Sequence, residues 1–361
     1  MKIINKTLNI DLDISKYLYD VTNTDVLLFD IETTGFIADK STLYLIGCVY
    51  NLKGSWTFTQ FFADNFKDEV SVLSNFFNLC KDFKYIVHFN GDTFDIPYIS
   101  KKSIIYNVNS TELKKLKSID LYKIIKKYKH LFNLENLKQK TLERFVGINR
   151  NDKFSGGELI EQYKLYTKNL NKTIEKNLLL HNEEDLYGML GLLKIIDYTN
   201  YISSILNLTT DNITNCYIDN TYLNVTLTVF TPIPLSLIIQ HGTWKIMLTS
   251  LSTEILIMIN IKADTLLHFF SDYQNYYYIV EKDEAIHKSV GKYLEPSKRI
   301  QANKNNSYIK KTGCFIETFV TSTDIQIFKK DTLSNNCYIY ISKNLISKEL
   351  ILRNLVKILD K

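Results

Sequence analysis

Residues 26–32, VLLFDIE, hold apolar positions almost without a break before the chain turns polar. A run without alternation predicts a strand covered on both faces. LYLIGCVY and WTFTQFF read as two further strands, and KYIVHFN as another buried one. Val70, Leu73, Phe76, Phe77 and Cys80 recur at steps of three and four and predict a helix over residues 67–82. FDIPYISKK opens another helix, residues 111–145 read as lysine-rich helices, and residues 172–197 as one long helix. Strands alternating with helices in this way predict a mixed sheet flanked by helices, an α/β domain of about 200 residues.

The pattern changes after Tyr198. NCYIDNTYLNVTLTVF and NCYIYISKN alternate and are rich in Thr, Tyr and Asn, which predicts strands and turns. KELILRNLVKILDK closes the chain as a helix. The turn-forming stretch NLTTDNITN marks the boundary region. The expected division is residues 1–205 as the α/β domain and residues 206–361 as a smaller β-rich α+β domain.

Composition narrows the class. The 361 residues suffice for two cores, and 45% hydrophobic with 23% charged residues is ordinary for a soluble globular protein. The five cysteines show no C-x-x-C spacing, which argues against a zinc site or disulfide framework and for free thiols in a reducing cytosol. The N-terminus lacks the uninterrupted apolar stretch of a signal peptide. VTLTVFTPIPLSLII carries Pro232 and Pro234, and LTSLSTEILIMINI carries Glu254. Neither reaches the ~20 clean apolar residues of a membrane span. The expectation is a cytoplasmic protein with no membrane contact.

Three acidic sites carry candidate chemistry. Asp30 and Glu32 sit two apart at the end of a strand and so project to one face. Like charges so close repel. The pair is either an exposed acidic strand end or a place for a divalent cation, which prefers hard oxygen ligands. Asp92 and Asp95 follow the Asn90-Gly91 turn at the start of a helix, where an acid could also simply complement the helix dipole. On the long helix, HNEED places His181 and Asp185 four apart and hence on one face. The flanking LLL and LYGMLGLL imply that this helix is largely buried, and a buried His/Asp pair needs a reason.

Taken together, DIETTG, FNGDTFDIPYI and HNEED resemble the three motifs of the DEDD superfamily of 3′→5′ exonucleases, which have a ribonuclease H-like fold. The likeness runs over roughly residues 24–197, through IDLYKIIKKY, LKQKTLERFVGINRND and GGELIEQYKLY, and is nearest to the YprB-like family. It implies that Asp30, Glu32, Asp95 and Asp185 bind two Mg²⁺ or Mn²⁺ ions. One would ready a water for attack on phosphorus and the other would stabilise the leaving 3′ oxygen. It implies DNA or RNA with a free 3′ end as substrate, and a helicase among the partners. Superfamily members usually carry a base as His five positions before the last aspartate or as Tyr four before it. Here His181 has the histidine chemistry at the tyrosine spacing, and position 180 is Leu. His181 is then the candidate general base, with a structural role as the alternative. Asp120 could support the site or cap the helix it precedes, and the cap is favoured. Asp152, in a Gly-rich loop, reads as a turn residue that could also approach substrate.

Charge is uneven along the chain. Residues 101–140 hold eleven lysines against three acids in a protein whose net charge is only +5. Such a segment suits phosphate contact or a solvated helix face. Residues 288–311 hold seven Lys or Arg and one acid, just after Tyr273, Tyr276, Tyr277 and Tyr278. Tyrosines beside cations suit stacking on unpaired bases, or packing on a strand. The reading is a metal-dependent nuclease. The alternatives are a nucleic-acid-binding module without turnover, a ribonuclease H-type endonuclease, and a phosphohydrolase with Asp30 as nucleophile. The four-carboxylate set argues against the first, and the three-motif order against the last.

Overall fold

The computed structural model describes residues 1–150, 154–219, 221–322, 324–342 and 347–360. The chain forms two compact units, Met1–Asn200 and Tyr201–Lys361. Asp152 lies outside the described residues.

The first unit starts with strand β1 (Lys2–Leu8), then β2 (Val26–Thr33), β3 (Leu43–Leu52) and β4 (Ser55–Phe62). Helix α1 (Glu69–Leu79) leads to β5 (Tyr85–His88) and helix α2 (Asp95–Ile105). A short helix α3 (Thr111–Lys115), strand β6 (Lys117–Asp120) and helices α4 (Leu121–Lys126), α5 (Lys129–Phe132) and α6 (Gln139–Phe145) follow. Helix α7 (Gly156–Asn169) precedes the 34-residue helix α8 (Lys172–Ile205).

The strands make one six-stranded sheet in the order β1-β4-β3-β2-β5-β6. β1 to β2 are joined antiparallel, while β5 and β6 run parallel to β2. The central strands are covered on both faces, as their continuous apolar runs require. Leu27, Phe29, Leu45 and Cys48 are fully buried, and Val72, Leu73 and Phe76 of α1 pack into the same core. Burial of each such large side chain contributes about 1.5–3 kcal/mol.

Two strands escape the sequence pattern. β1 is an edge strand with four of its seven residues exposed and only Leu8 buried, which leaves it no period-two signal. β6 is the strand KSID inside the lysine-rich stretch expected to be helical, and it is held by parallel pairing to β5. Asp120 ends β6 and caps α4, accepting from the backbone N–H of Lys123.

The second unit is β-rich. A five-stranded sheet contains β7 (Ile213–Asp219), β8 (Tyr222–Thr228), β9 (Leu237–His241), β10 (Trp244–Leu248) and β11 (Glu254–Asn260), in the order β7-β8-β11-β10-β9. Next come β12 (Lys262–Phe269), β13 (Tyr276–Ile279), β14 (Glu284–His287), helix α9 (Lys288–Gly291) and β15 (Arg299–Gln301). β16 (Tyr308–Thr318), β17 (Cys337–Ile341) and helix α10 (Lys348–Leu359) complete it. β12, β16 and β17 form one three-stranded sheet, and β13, β14 and β15 another. None of the five cysteines is paired. Among the described residues no helix is long and apolar enough to cross a membrane.

Candidate active site

The site grows from the end of β2. Phe29 and Ile31 turn into the layers of the domain, and Asp30 and Glu32 project together on the alternate face. Pairing with β5 stops at Leu28, because β5 ends at His88 and the chain turns through Asn90, in the left-handed conformation at φ 62°. Beyond Leu28 that edge of β2 is open. Asp95, the first residue of α2, fills it: its carboxylate accepts from the N–H of Ile31 as well as from its own. Gly91 lets the turn close, since a Cβ there would stand 2.7 Å from Cγ of His88.

α8 supplies the third side. His181 is 7% exposed, and its Nε2 lies 3.3 Å from Oδ2 of Asp185 and 3.7 Å from Oε1 of Glu32. The one-turn spacing on the helix thus brings His181 and Asp185 together and carries both to the strand acids. Asn182, 0% exposed, donates from Nδ2 to Oδ2 of Asp30 at 2.9 Å. Its Oδ1 accepts from Nε2 of Gln60 at 3.1 Å, and the same Gln60 nitrogen reaches the carbonyl of Leu179 at 2.8 Å. The helix comes this close because Gly47, opposite Asp30 on β3, has no side chain. A Cβ there would lie 2.0 Å from Oδ1 of Asn182 and 2.6 Å from Cδ1 of Leu186.

The electrostatics follow from this crowding. Burial pushes the Asp30 carboxyl well above the usual carboxylate range, and the neighbouring Asp185, Glu32 and Asp95 push it further, against the Asn182 hydrogen bond. Burial likewise takes Asp95 up to about 7, with Asp120 and Asp185 adding to it and the two backbone N–H bonds opposing. Such mutual repulsion is what a divalent cation with oxygen ligands relieves. The donor set Asp30, Glu32, Asp95 and Asp185 therefore fits hard cations.

The protein also supplies a cation of its own. Nη1 of Arg150 lies 2.6 Å from Oδ1 of Asp185, while Nε and Nη2 each lie 2.5 Å from the Glu143 carboxylate. Gln139 joins the group, donating from Nε2 to Glu143 at 2.9 Å and to the backbone carbonyl of Asp185 at 2.7 Å. This guanidinium sets a protein cation beside the acids, next to Asp185.

The turn before α2 is braced from β6 and α4. His88 Nδ1 accepts from the Gly91 N–H at 3.0 Å, and its Nε2 is 2.8 Å from the Ser118 hydroxyl. Ser118 in turn donates to Asp92, which Lys123 also holds at 2.5 Å. Asp92 therefore belongs to the brace, and Asp95 to the cluster. Asp120 does both things the sequence left open: it caps α4 and accepts from the Asn90 N–H at 2.9 Å.

In front of Asp30 and Asp95 lies a cleft of about 810 Å³. Lys126, Lys129 and Lys138 line it, with Phe36, Phe94 and Tyr122. Phe36 is 86% exposed and meets Phe94 edge-on at 5.8 Å. The lysine-rich stretch divides here. Lys102 is buried on Glu69 at 2.8 Å, and Lys115 pairs with Glu112 at 2.9 Å. In the second unit, Tyr276 stacks on Phe270, Tyr277 lies under Arg299 and Lys288, and Tyr278 donates to Asp283. Those three rings already have packing partners.

Sequence reasoning did not find Asn182, Gln60, Gly47 or Arg150. Asn182 had one usable signal, a polar residue on a helix otherwise expected to be buried. Arg150 had none, because it lies outside any helix or strand and its target Asp185 comes 35 residues later.

Residues 27–197 match the family model for the RNase_H superfamily. No curated protein matches the chain. Among solved structures, the family B DNA polymerase from the hyperthermophilic archaeon Pyrobaculum calidifontis is similar at 17% identity and TM-score 0.41, over 69% of this chain and 35% of the polymerase. Exonuclease I is similar at 11% identity and TM-score 0.34, over 62% of this chain and 54% of that one. The metal-free complex of E. coli ExoI with ssDNA is similar at 11% identity and TM-score 0.32, over 80% and 64%. The chain thus spans about a third of the polymerase and a little over half of exonuclease I. The first unit has the ribonuclease H-like fold expected from the motifs, and a separate β-rich region follows it.

Proposed function

We propose that the first unit hydrolyses phosphodiester bonds of nucleic acid, removing nucleotides from a 3′ end, with Asp30, Glu32, Asp95 and Asp185 holding two Mg²⁺ or Mn²⁺ ions. The observation that carries this reading is the convergence of acids from β2, α2 and α8 beside a cleft lined with lysines and aromatic rings. Divalent cations bound there would neutralise charge on the phosphoryl oxygens and ease ionisation of a water.

The chain's own residues do the rest. Lys126, Lys129 and Lys138 meet backbone phosphates without regard to sequence. Phe36 and Phe94 offer ring faces and edges to the last unpaired base. Asn182 fixes the rotamer of Asp30 through a buried amide that is itself held by Gln60. His181 accepts the proton of the attacking water at Nε2, the nitrogen that faces Asp185 and Glu32. The DEDD motif order supports the exonuclease reading, and the stretch between the motifs supports the YprB-like family. The second unit, taken as residues 206–361, would hold substrate or a partner.

Oligonucleotides of DNA and RNA labelled at either end, digested with Mg²⁺ or Mn²⁺, test the reading. Stepwise shortening from the 3′ end is expected. Internal cuts from the first time point would replace it with the endonuclease reading. No cleavage with retained binding would leave a nucleic-acid-binding module.

A further inference from the structure

We propose that Arg150 is a resident counter-cation of the carboxylate cluster, one that holds Asp185 in the cation-free protein and must yield it to an incoming divalent ion. It thereby sets how tightly the site binds metal. This rests on the reading that the acids take a divalent cation, and it adds a competitor to that reading.

The arrangement is built to keep the guanidinium in place. Glu143 is 1% exposed and takes two of the three nitrogens in a fork. Bidentate pairing of this kind fixes direction as well as charge. Glu143 reaches the spot because Gly188, three residues beyond Asp185 on α8, leaves room: a Cβ there would stand 1.7 Å from Oε1 of Glu143. Gln139 ties Glu143 to the backbone of Asp185 itself. Held on that frame, the third nitrogen, Nη1, reaches Asp185.

Asp185 has two oxygens, and both are engaged. Oδ1 faces Arg150 at 2.6 Å and Oδ2 faces His181 at 3.3 Å. A cation that uses Asp185 must take or share an oxygen that one of them already engages. Arginine cannot lose its proton to make way. Its charge therefore stays close to the site and opposes the ion, whichever oxygen is used. A purely structural Glu143–Arg150 pair would not need the third contact. Disrupting such a pair would loosen the site and weaken metal binding, whereas removing a competitor strengthens it. The two roles thus predict opposite signs.

The test titrates Mn²⁺ alone, without nucleic acid, into the full chain and follows bound ion by electron paramagnetic resonance. Two variants are compared with wild type. Glu143→Gln/Arg150→Gln removes both members, so no buried carboxylate is left unpaired. Arg150→Lys keeps a cation for Glu143 but not the fork that reaches Asp185. We expect Mn²⁺ to bind about tenfold more tightly to the double variant, which takes the fixed guanidinium away from Asp185, and more tightly by a smaller factor to Arg150→Lys, whose charge stays on Glu143 but withdraws from Asp185. Equal or weaker binding by Arg150→Lys, or by the double variant with its melting temperature kept, overturns the proposal while leaving the metal reading intact. Wild type that binds no Mn²⁺ in the cluster, judged by an unchanged titration in Asp30→Asn, overturns both.

Discussion

The side-chain amide of Asn182 donates to Oδ2 of Asp30 at 2.9 Å, and the other end of that amide is pinned by Gln60. The contact joins the middle of α8 to the end of β2, and it exists only because Gly47 leaves the helix a path. A buried amide with both ends satisfied has one orientation, so Asp30 has one as well. Asn182→Ala should lower turnover by ten- to a hundredfold, the scale on which small misplacements of reacting groups act. Gly47→Ala should cost about 1–3 kcal/mol through overpacking. Thermal melts beside single-turnover rates check both. Full turnover in Asn182→Ala would make the amide a packing feature only.

Asp95 links pH to stability. Its folded value of about 7 stands above the ordinary 3.8. The folded state therefore holds the proton more tightly than the unfolded chain. That contribution is fully present below pH ~4 and is lost as pH rises through about 7. Its size is at most about 4 kcal/mol. In chelator, wild type should melt progressively lower from pH 5 to pH 8, and Asp95→Asn should change less over that window. Mn²⁺ should remove most of the difference. Parallel curves for the two proteins would show that Asp95 is not strained at neutral pH.

Much of this site was legible because regular structure has short periods. A step of two on β2 put Asp30 and Glu32 on one face, and a step of four on α8 did the same for His181 and Asp185. Asp95 was legible from a strand, an Asn-Gly turn and a helix start. What was not legible depends on contacts between elements. Arg150 meets Glu143 and Asp185 because α6 packs against α8, and no spacing encodes that. β6 was hidden because Lys117 and Ser118 look solvated and its pairing with β5 is non-local. The lysine-rich stretch looked uniform, yet the fold sends Lys102 into the core and Lys126 to the cleft.

That division gives a test of the cleft. Lys126, Lys129 and Lys138 line it, while the exposed Lys127 does not. Changing the three to Gln should weaken binding of all sequences alike. It should lower the slope of log affinity against log salt by about one for each lysine. Lys127→Gln should leave the slope nearly as it was. If the single change matched the triple, substrate would run over the outer face of α4 instead of the cleft.

Metal removal should silence the proposed hydrolysis. Hydrolysis should vanish with a chelator and return with Mg²⁺ or Mn²⁺. Ca²⁺ should bind but support little turnover, because its larger and looser shell suits an in-line displacement poorly. Asp30→Asn, Glu32→Gln, Asp95→Asn and Asp185→Asn should each abolish hydrolysis, and Asp30→Asn should melt higher than wild type in chelator at alkaline pH, since it removes a buried carboxyl whose ionisation burial and three neighbouring acids oppose. Near-normal rates in any one of these would remove that residue from the site.

His181 sits where two roles compete. Its Nε2 is 3.3 Å from Asp185 and 3.7 Å from Glu32, close enough to take a proton from a water among them or to serve as a ligand itself. Positioned bases contribute about 10²–10⁴-fold. As the base, His181 can be lost with only the rate affected. His181→Ala should then fall by that factor while Mn²⁺ and oligonucleotide bind as before. His181→Tyr should recover part of the rate, because tyrosine is the side chain that the resembled superfamily usually places four residues before the last aspartate. As a ligand, His181 would be missed first by the ion. Mn²⁺ affinity would drop in His181→Ala as it does in the carboxylate variants, and excess Mn²⁺ would restore turnover. A rate that stays low at saturating Mn²⁺ therefore assigns the proton to His181, and a rate restored there assigns it to another group.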